Sequence, residues 1–166
     1  MKIIIKQAFI TAVAAVTCLY ITEWLKLPQG FWAVMSAIVV MQSDAKATIS
    51  ASWMRIVGTL AGALVGGLFL ALLGSHIWSF GAAVALVVVI CALLRLLESY
   101  RIGAVTVAVV MLTGNSASPW TTAAYRFLEV SFGILVALLI SALFNPVYVY
   151  QRIQGSFIEF YNKFKK

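Results

Sequence analysis

The sequence predicts an all-α integral membrane protein, in which six transmembrane helices form two inverted three-helix repeats and a C-terminal amphipathic helix follows. Three observations predict this fold class. Of the 166 residues, 63% are hydrophobic and only 10% are charged, whereas about 25% of the residues in a soluble domain are charged. Ten of the twelve basic residues fall on one side of the predicted membrane. The chain also matches itself without gaps at an offset of 71 residues.

Six apolar stretches account for the predicted helices, since a bilayer core of about 30 Å takes about 20 helical residues. Read from the uncharged stretches, the spans cover residues 7–24, 30–42, 55–73, 77–97, 102–113 and 126–144. Spans two and five are short, and each taken alone is also compatible with a re-entrant segment. Gly74 and Pro146 end the third and sixth spans, because glycine and proline interrupt helices.

The basic residues predict the orientation, because Lys and Arg concentrate on the cytoplasmic side of a membrane. The outer side carries only Lys26 and Arg126. The inner set comprises Lys2, Lys6, Lys46, Arg55, Arg95, Arg101, Arg152, Lys163, Lys165 and Lys166. Both termini of a multi-pass plasma (inner) membrane protein are therefore predicted to be cytoplasmic. The net charge of +7 does not indicate nucleic-acid binding, because the basic residues flank apolar runs and form no stripe.

The two ends of the chain need separate interpretation. Lys2, Lys6 and the apolar run over 8–20 resemble a signal peptide, but the segment has a counterpart in the internal repeat and is predicted to be retained. Residues 147–166 place aromatic and aliphatic side chains at helical spacing, with most charges elsewhere around the helix. This pattern predicts an amphipathic helix on the inner membrane surface. A helix packed against a partner, or a frayed tail, is the alternative.

The internal repeat aligns Arg55 with Arg126 and Gly62 with Gly133, and it also aligns the two short spans. Each copy contains an odd number of spans, so the second copy is predicted to be inverted in the membrane. The repeats cover about 3–74 and 75–145 of a membrane module over 1–146. Inverted repeats are typical of transporters, whose substrate site lies near the repeat interface.

Glycines mark the third and sixth spans. Gly58, Gly62 and Gly66 are four residues apart and share one helix face, and Gly133 repeats the pattern. Small residues at this spacing let helices approach closely in lipid. They predict close packing, either inside the module or at a subunit contact.

The charges within the spans are the candidate substrate-path residues. Arg126 and Glu129 are three apart, close enough to pair on one helix face, and a carboxylate inside a membrane is costly. The pair either lines a polar path or forms a structural ion pair. Arg55 and Arg126 are expected near opposite mouths, where two arginines would favour anions. Arg55 has the alternative role of a positive-inside anchor.

Two polar linkers follow the short spans, with Gln42 and Asp44 in the first and Asn115 in the second. They are candidates for the ends of a permeation path, since irregular backbone at membrane depth has to be covered by protein or line a water-filled cavity. Ordinary surface loops are the alternative. His76, Cys18 and Cys91 show no metal-ligand spacing. No enzyme, cofactor or metal site is predicted.

Several motifs together resemble a known family. They are Gly-Phe-Trp-Ala-Val at 30–34, Met-Gln-Ser at 41–43, Trp-Met-Arg-Ile-Val-Gly-Thr-Leu-Ala-Gly at 53–62, and Arg-Phe-Leu-Glu-Val at 126–130 followed by Gly133. They resemble the fusaric-acid-resistance and aromatic-acid-exporter superfamily over about 3–145, with plant aluminium-activated malate channels as more distant relatives. The resemblance implies a six-helix membrane module that moves organic anions such as aromatic or hydroxylated carboxylates. Members often carry a large cytosolic domain or two fused modules, so a homodimer is expected for this shorter sequence.

The sequence therefore predicts a homo-oligomeric transporter or channel for small organic anions in a lipid bilayer, acting in efflux. The alternative is a non-transporting membrane scaffold or assembly subunit. A third possibility is a cation pathway that uses Asp44 and Glu129.

Overall fold

The computed structural model describes residues 1–27, 29–42, 44–93, 99–114 and 118–144. These residues form six α-helices and no strand, which confirms the predicted all-α class. The helices are α1 Lys2–Trp24, α2 Phe31–Val40, α3 Ala45–Leu73, α4 Ile77–Leu93, α5 Ser99–Thr113 and α6 Pro119–Phe144. Ile4–Trp24, α3 and α6 are long and apolar enough to cross a membrane, and the other three are shorter apolar helices. The predicted amphipathic helix over 147–166 lies outside the described residues.

The long helices α3 and α6 begin earlier than the predicted spans. α3 starts at Ala45, ten residues before Arg55, and α6 starts at Pro119, seven residues before Arg126. The sequence interpretation started each span at its arginine because a charge was taken as the edge of the apolar core. In the structure both arginines lie within a helix. Arg55 contacts Ser36 and Arg126 contacts Glu129, so neither side chain has to lie at the end of its helix to reach a polar partner.

The backbone groups that follow the short helix α2 have side-chain hydrogen-bond partners. Its ten residues span about 15 Å, half of a bilayer core. After it, the Gln7 side chain donates to the Met41 carbonyl over 3.0 Å. The backbone N–H of Gln42 donates to the Thr48 hydroxyl oxygen, also over 3.0 Å. Such side chains replace the water that apolar surroundings do not supply.

Two large apolar clusters, and a small one of Ala63, Val110 and Ala123, hold the helices together. The first combines α1, α2 and α6, and the second combines α3, α4 and α5. Val40 and Val136 belong to the first cluster, and the residues 71 positions away from them, Met111 and Val65, belong to the second. Each long helix, α3 or α6, therefore packs with the first two helices of the other half of the sequence.

Three glycines of the long helices, Gly58, Gly62 and Gly133, lie where helix backbones meet. A Cβ at Gly58 would lie 2.6 Å from the Ser99 carbonyl oxygen, and a Cβ at Gly62 would overlap the Gly103 carbonyl group. In α6, a Cβ at Gly133 would overlap the main chain of Ala33. These contacts bring α3 against α5 and α6 against α2 at backbone distance, as small residues allow.

Candidate functional site

A cavity of about 160 Å³ lies between α3, α5 and α6, beside the first turn of α2. Engineered apolar cavities of about 150 Å³ bind benzene, so this volume suits one aromatic ring. The wall is mostly aliphatic and aromatic, with three guanidinium groups and two hydroxyl groups. The lining residues are Trp32, Arg55, Thr59, Arg101, Ile102, Val105, Thr106, Val109, Arg126 and Val130.

One face of α5 forms the apolar side of the cavity. Ile102, Val105, Thr106 and Val109 follow the three- and four-residue spacing that places side chains on one helix face. The Thr106 hydroxyl donates to the Ile102 carbonyl of its own helix over 2.9 Å. The polarity of this wall is thereby reduced, and the face suits an apolar group.

Arg55 reaches the cavity from α3 and is fixed by α2. Its Nε donates to the Ser36 hydroxyl oxygen over 3.2 Å, and Ser36 in turn donates to the Trp32 carbonyl over 2.8 Å. Its partner is therefore a neutral hydroxyl. The guanidinium keeps its charge uncompensated by this contact and contributes it to the cavity.

Arg126 reaches the cavity from α6 and is paired. Its Nη1 lies 3.0 Å from a carboxylate oxygen of Glu129, and the two side chains are only 4% and 5% exposed. The guanidinium also lies over the Trp32 ring, 5.1 Å from the ring centroid, in the geometry of a cation–π contact. The Glu129 carboxylate accepts a further hydrogen bond from the backbone N–H of Gln29. Glu129 thus joins α6 to the start of α2.

Three polar atoms of the cavity-lining residues have no hydrogen-bond partner among the described residues. They are Trp32 Nε1, Thr59 Oγ1 and Arg126 Nε. Buried polar groups are normally paired, because leaving one unpaired costs about 1–3 kcal/mol. All three can donate a hydrogen bond. The cavity therefore suits a guest that is apolar over most of its surface and carries acceptor atoms.

The two arginines belong to one cavity and not to two separate mouths. Gly67 of α3 packs against Ala123 of α6. Because Thr59 of α3 and Val130 of α6 line the same cavity, the two helices run antiparallel. Counting residues from that contact separates Arg55 and Arg126 by roughly 13 Å along the helix axes. This separation places them towards opposite ends of the same cavity. Both side chains lie well inside their helices, because α3 and α6 start earlier than predicted.

The other predicted path residues that the structure describes do not line the cavity. Glu129 contacts Arg126 without reaching the wall itself. Gln42 and Asp44 are exposed between α2 and α3. Asn115 lies outside the described residues.

Sequence reasoning missed eight of the ten lining residues, among them Trp32, Thr59 and Arg101. Thr59 and Val130 are related by the same 71-residue offset as the two arginines, so applying the repeat one turn further would have found them. Trp32 was predicted as part of the motif at 30–34, and Arg101 as a member of the inner basic set. No local pattern distinguishes those roles from cavity lining.

Comparison with known proteins identifies a family for most of the chain. Residues 14–140 match the family model for fusaric acid resistance protein-like sequences. The chain belongs to the fusaric acid resistance protein-like family. This family assignment confirms the resemblance seen in the sequence and describes a membrane transporter-like protein.

A curated relative shows how much of a longer protein this family member covers. The chain is 23% identical over 153 residues to a UPF0421 protein of Staphylococcus saprophyticus, and the alignment covers 92% of the chain and 45% of that relative. The chain thus spans less than half the length of that protein. No solved structure matches it significantly. Neither match bears on the predicted relationship to plant aluminium-activated malate channels.

Proposed function

We propose that this family member is a transporter or channel for small organic anions, of the aromatic or other carboxylate type, and that it acts in efflux. The observation that carries the proposal is the cavity, in which Arg55 and Arg126 share a mostly apolar wall. An arginine fork suits a carboxylate, and an apolar wall suits the ring or chain attached to it.

The arrangement of donors supports an elongated guest with a polar end. Trp32 Nε1, Thr59 Oγ1 and Arg126 Nε are unpartnered among the described residues, and Ile102 and Val105 lie on the opposing α5 wall. A carboxylate bound by arginine and hydroxyl donors would leave its ring against α5 and Trp32. Arg55 would attract the anion at the other end of the cavity.

The proposed architecture is a six-span module of two inverted repeats over 3–74 and 75–145, with both termini cytoplasmic in the plasma membrane. Two helix contacts support it. Gly62 lies against Gly103, and Gly133 lies against Ala33. Shifting the second pair by 71 residues reproduces the first to within one position. A cavity between the long helices of the two halves is where such a fold binds its substrate.

A homodimer is part of the proposal. The apolar part of α1 is only 17% buried, compared with 39% for α3 and α6. Either lipid or a second copy therefore covers this helix. Val16→Cys, at a position that is 66% exposed, would form a disulfide with a second copy in native membranes if α1 is the interface.

Flux into liposomes tests the transport function. The reconstituted protein should move benzoate, and Arg55→Gln and Arg126→Gln should each lower the rate by at least about tenfold, since each removes a positive charge that lines the cavity. Lys46→Gln is the matched control, because Lys46 is an exposed basic residue of the same helix as Arg55 and does not line the cavity. Monodisperse elution in detergent checks the folding of each variant.

Three outcomes separate the alternatives. Flux that survives neutralisation of both arginines would rule out their role. A wild-type protein that moves no anion and co-purifies with a fixed partner would support the scaffold alternative. Reversal potentials in an asymmetric salt gradient distinguish an anion path from a cation path through Asp44 and Glu129.

A further inference from the structure

We propose that Glu129 is a proton-linked positioning residue. Protonation of its carboxylate releases the charge of Arg126 to the carboxylate of the bound anion, so that anion binding and proton uptake are coupled. The inference rests on the proposed anion-binding function of the cavity. It adds that the binding strength depends on a proton held outside the cavity wall.

Arg126 stands between two possible acceptors. On one side its Nη1 holds the Glu129 carboxylate at 3.0 Å. On the other side the residue lines the cavity, and its Nε has no hydrogen-bond partner among the described residues. A guanidinium carries five N–H donors in a planar fork, so it can face both groups at once. The two acceptors nevertheless share a single positive charge.

Sharing that charge is costly when both acceptors are anions. Arg126 and Glu129 are 4% and 5% exposed, so little water screens a second negative charge brought to the same guanidinium. Two carboxylates at one buried site favour the uptake of one proton. The anion in the cavity keeps its charge if that proton binds to Glu129.

The protonated carboxyl group would still satisfy the helix that it contacts. Glu129 accepts a hydrogen bond from the Gln29 backbone N–H, one residue before the N-cap Gly30 of α2. A neutral carboxyl group retains a carbonyl oxygen for that bond. Proton uptake therefore changes the charge beside Arg126 without removing the acceptor at the start of α2.

No other buried carboxylate in the described part of the chain can take this role. The remaining described acids, Glu23 and Asp44, are exposed. The elements packed against α6 bring mainly positive charge to the cavity, with Arg55 from α3 and Arg101 from α5. α2 itself carries no titratable side chain. The titratable groups of α1 with described side chains are exposed or, for the Cys18 thiol, lie in the apolar cluster; they are Lys6, Cys18, Tyr20 and Glu23.

The repeat indicates that the position does not require an acid for packing. The residue 71 positions before Glu129 is Gly58, which lies against the Ser99 carbonyl oxygen. Likewise Arg55, the counterpart of Arg126, contacts the neutral hydroxyl of Ser36. Among the described residues, therefore, Arg126 has a titratable partner and Arg55 has a neutral one. In this arrangement Arg55 attracts anions at any pH, whereas Arg126 does so fully once Glu129 is protonated.

Binding of a permanently charged anion tests the coupling, because its own charge does not vary. Benzenesulfonate is titrated calorimetrically into the full chain in detergent from roughly pH 5.5 to 8, a range in which a buried carboxylate can titrate. The Kd should fall on acidification by up to about tenfold per pH unit. Measurements in two buffers of different ionisation enthalpy should show about one proton taken up per anion, since the linkage is reciprocal.

Glu129→Gln and Asp44→Asn form a matched pair of variants. Glu129→Gln mimics the protonated state and should bind at neutral pH at least about tenfold more tightly than wild type, with no pH dependence and no proton uptake. Asp44→Asn neutralises an exposed carboxylate away from the cavity, and it should retain the wild-type profile. A residue with only a structural role would not move the proton count.

The outcomes separate this inference from the proposed function. Wild-type binding with an unchanged Kd across the pH range overturns the coupling and leaves the anion site intact. A pH dependence that persists in Glu129→Gln assigns the proton to another group and also overturns it. Absence of binding at every pH overturns both proposals. If Glu129→Gln does not fold, the wild-type proton count decides.

Discussion

Gly133 of α6 lies against the main chain of Ala33 in α2 so closely that a Cβ at Gly133 would overlap the Ala33 carbonyl group. This contact sets the position of α2, whose second residue, Trp32, lies over the guanidinium of Arg126. The side-chain arrangement at one end of the cavity therefore depends on a backbone contact between two helices that are distant in the sequence.

Replacing Gly133 should separate these helices. We expect Gly133→Ala to lower the free energy of unfolding by about 1–3 kcal/mol, the usual cost of overpacking a tight contact. Thermal unfolding in detergent measures the change. Gly81→Ala is the control, because nothing lies within 4 Å of a Cβ at that position of α4 and alanine favours helix by up to about 1 kcal/mol. Equal destabilisation by both variants would contradict the role of the Gly133 contact.

The buried ion pair should show strong coupling. Arg126→Gln and Glu129→Gln should each cost about 3–5 kcal/mol, because each leaves a charge buried without its partner. The double variant should cost at least about 1 kcal/mol less than the sum of the two, as expected for residues in contact. Denaturant unfolding of all four proteins completes the cycle. Additive costs would mean that the pair contributes little to the folded state.

Trp32 should affect aromatic anions more than it affects folding. Trp32→Ala removes the ring that lies 5.1 Å from Arg126, a contact worth about 0.5–2 kcal/mol, and enlarges the cavity. We expect weaker binding and slower flux of benzoate, with a smaller effect on an aliphatic carboxylate. Trp78→Ala is the control, since Trp78 is 86% exposed on α4. A similar loss in both variants would contradict a specific role for Trp32.

Two threonine variants should have opposite effects. Thr59→Val removes a cavity-lining hydroxyl that has no described partner, so stability should hold or rise while the affinity for an anion falls by about 0.5–1.5 kcal/mol. Thr48→Val removes a hydroxyl that accepts from the Gln42 amide and donates to the Asp44 carbonyl. That change should lower stability and leave anion affinity unchanged. Calorimetric binding and thermal unfolding of the same samples measure both effects.

Much of the fold follows from local pattern. Apolar length predicted the six helices in the part of the chain that the structure describes, and the α4 and α5 starts at Ile77 and Ser99 lie within three residues of the predicted spans. The starts of α3 and α6 were misplaced because a buried arginine reads as a boundary in hydropathy. A charged residue has to lie at the end of a membrane span only if water is its hydrogen-bond partner. Hydropathy does not record the protein partners, here Ser36 and Glu129, that take the place of water.

The candidate site was only partly predictable. The 71-residue offset singled out Arg55 and Arg126 as a related pair, and the three-residue spacing predicted the contact between Arg126 and Glu129. The sequence left open whether Gln42 and Asp44 lie at the end of a permeation path or in an ordinary surface loop. A polar linker has the same composition whether it lines a path or meets solvent.

The sequence by itself determined that the protein is helical and apolar, and where its glycines recur. These properties depend on composition and on the 3.6-residue period of the helix, which any one segment carries. Only the tertiary structure decided that α3 packs against α5 and α6 against α2, that both arginines line one cavity, and that Trp32 and Gln29 complete the surroundings of the ion pair. Those relationships arise from contacts between segments 30 to 100 residues apart, and no local period specifies them.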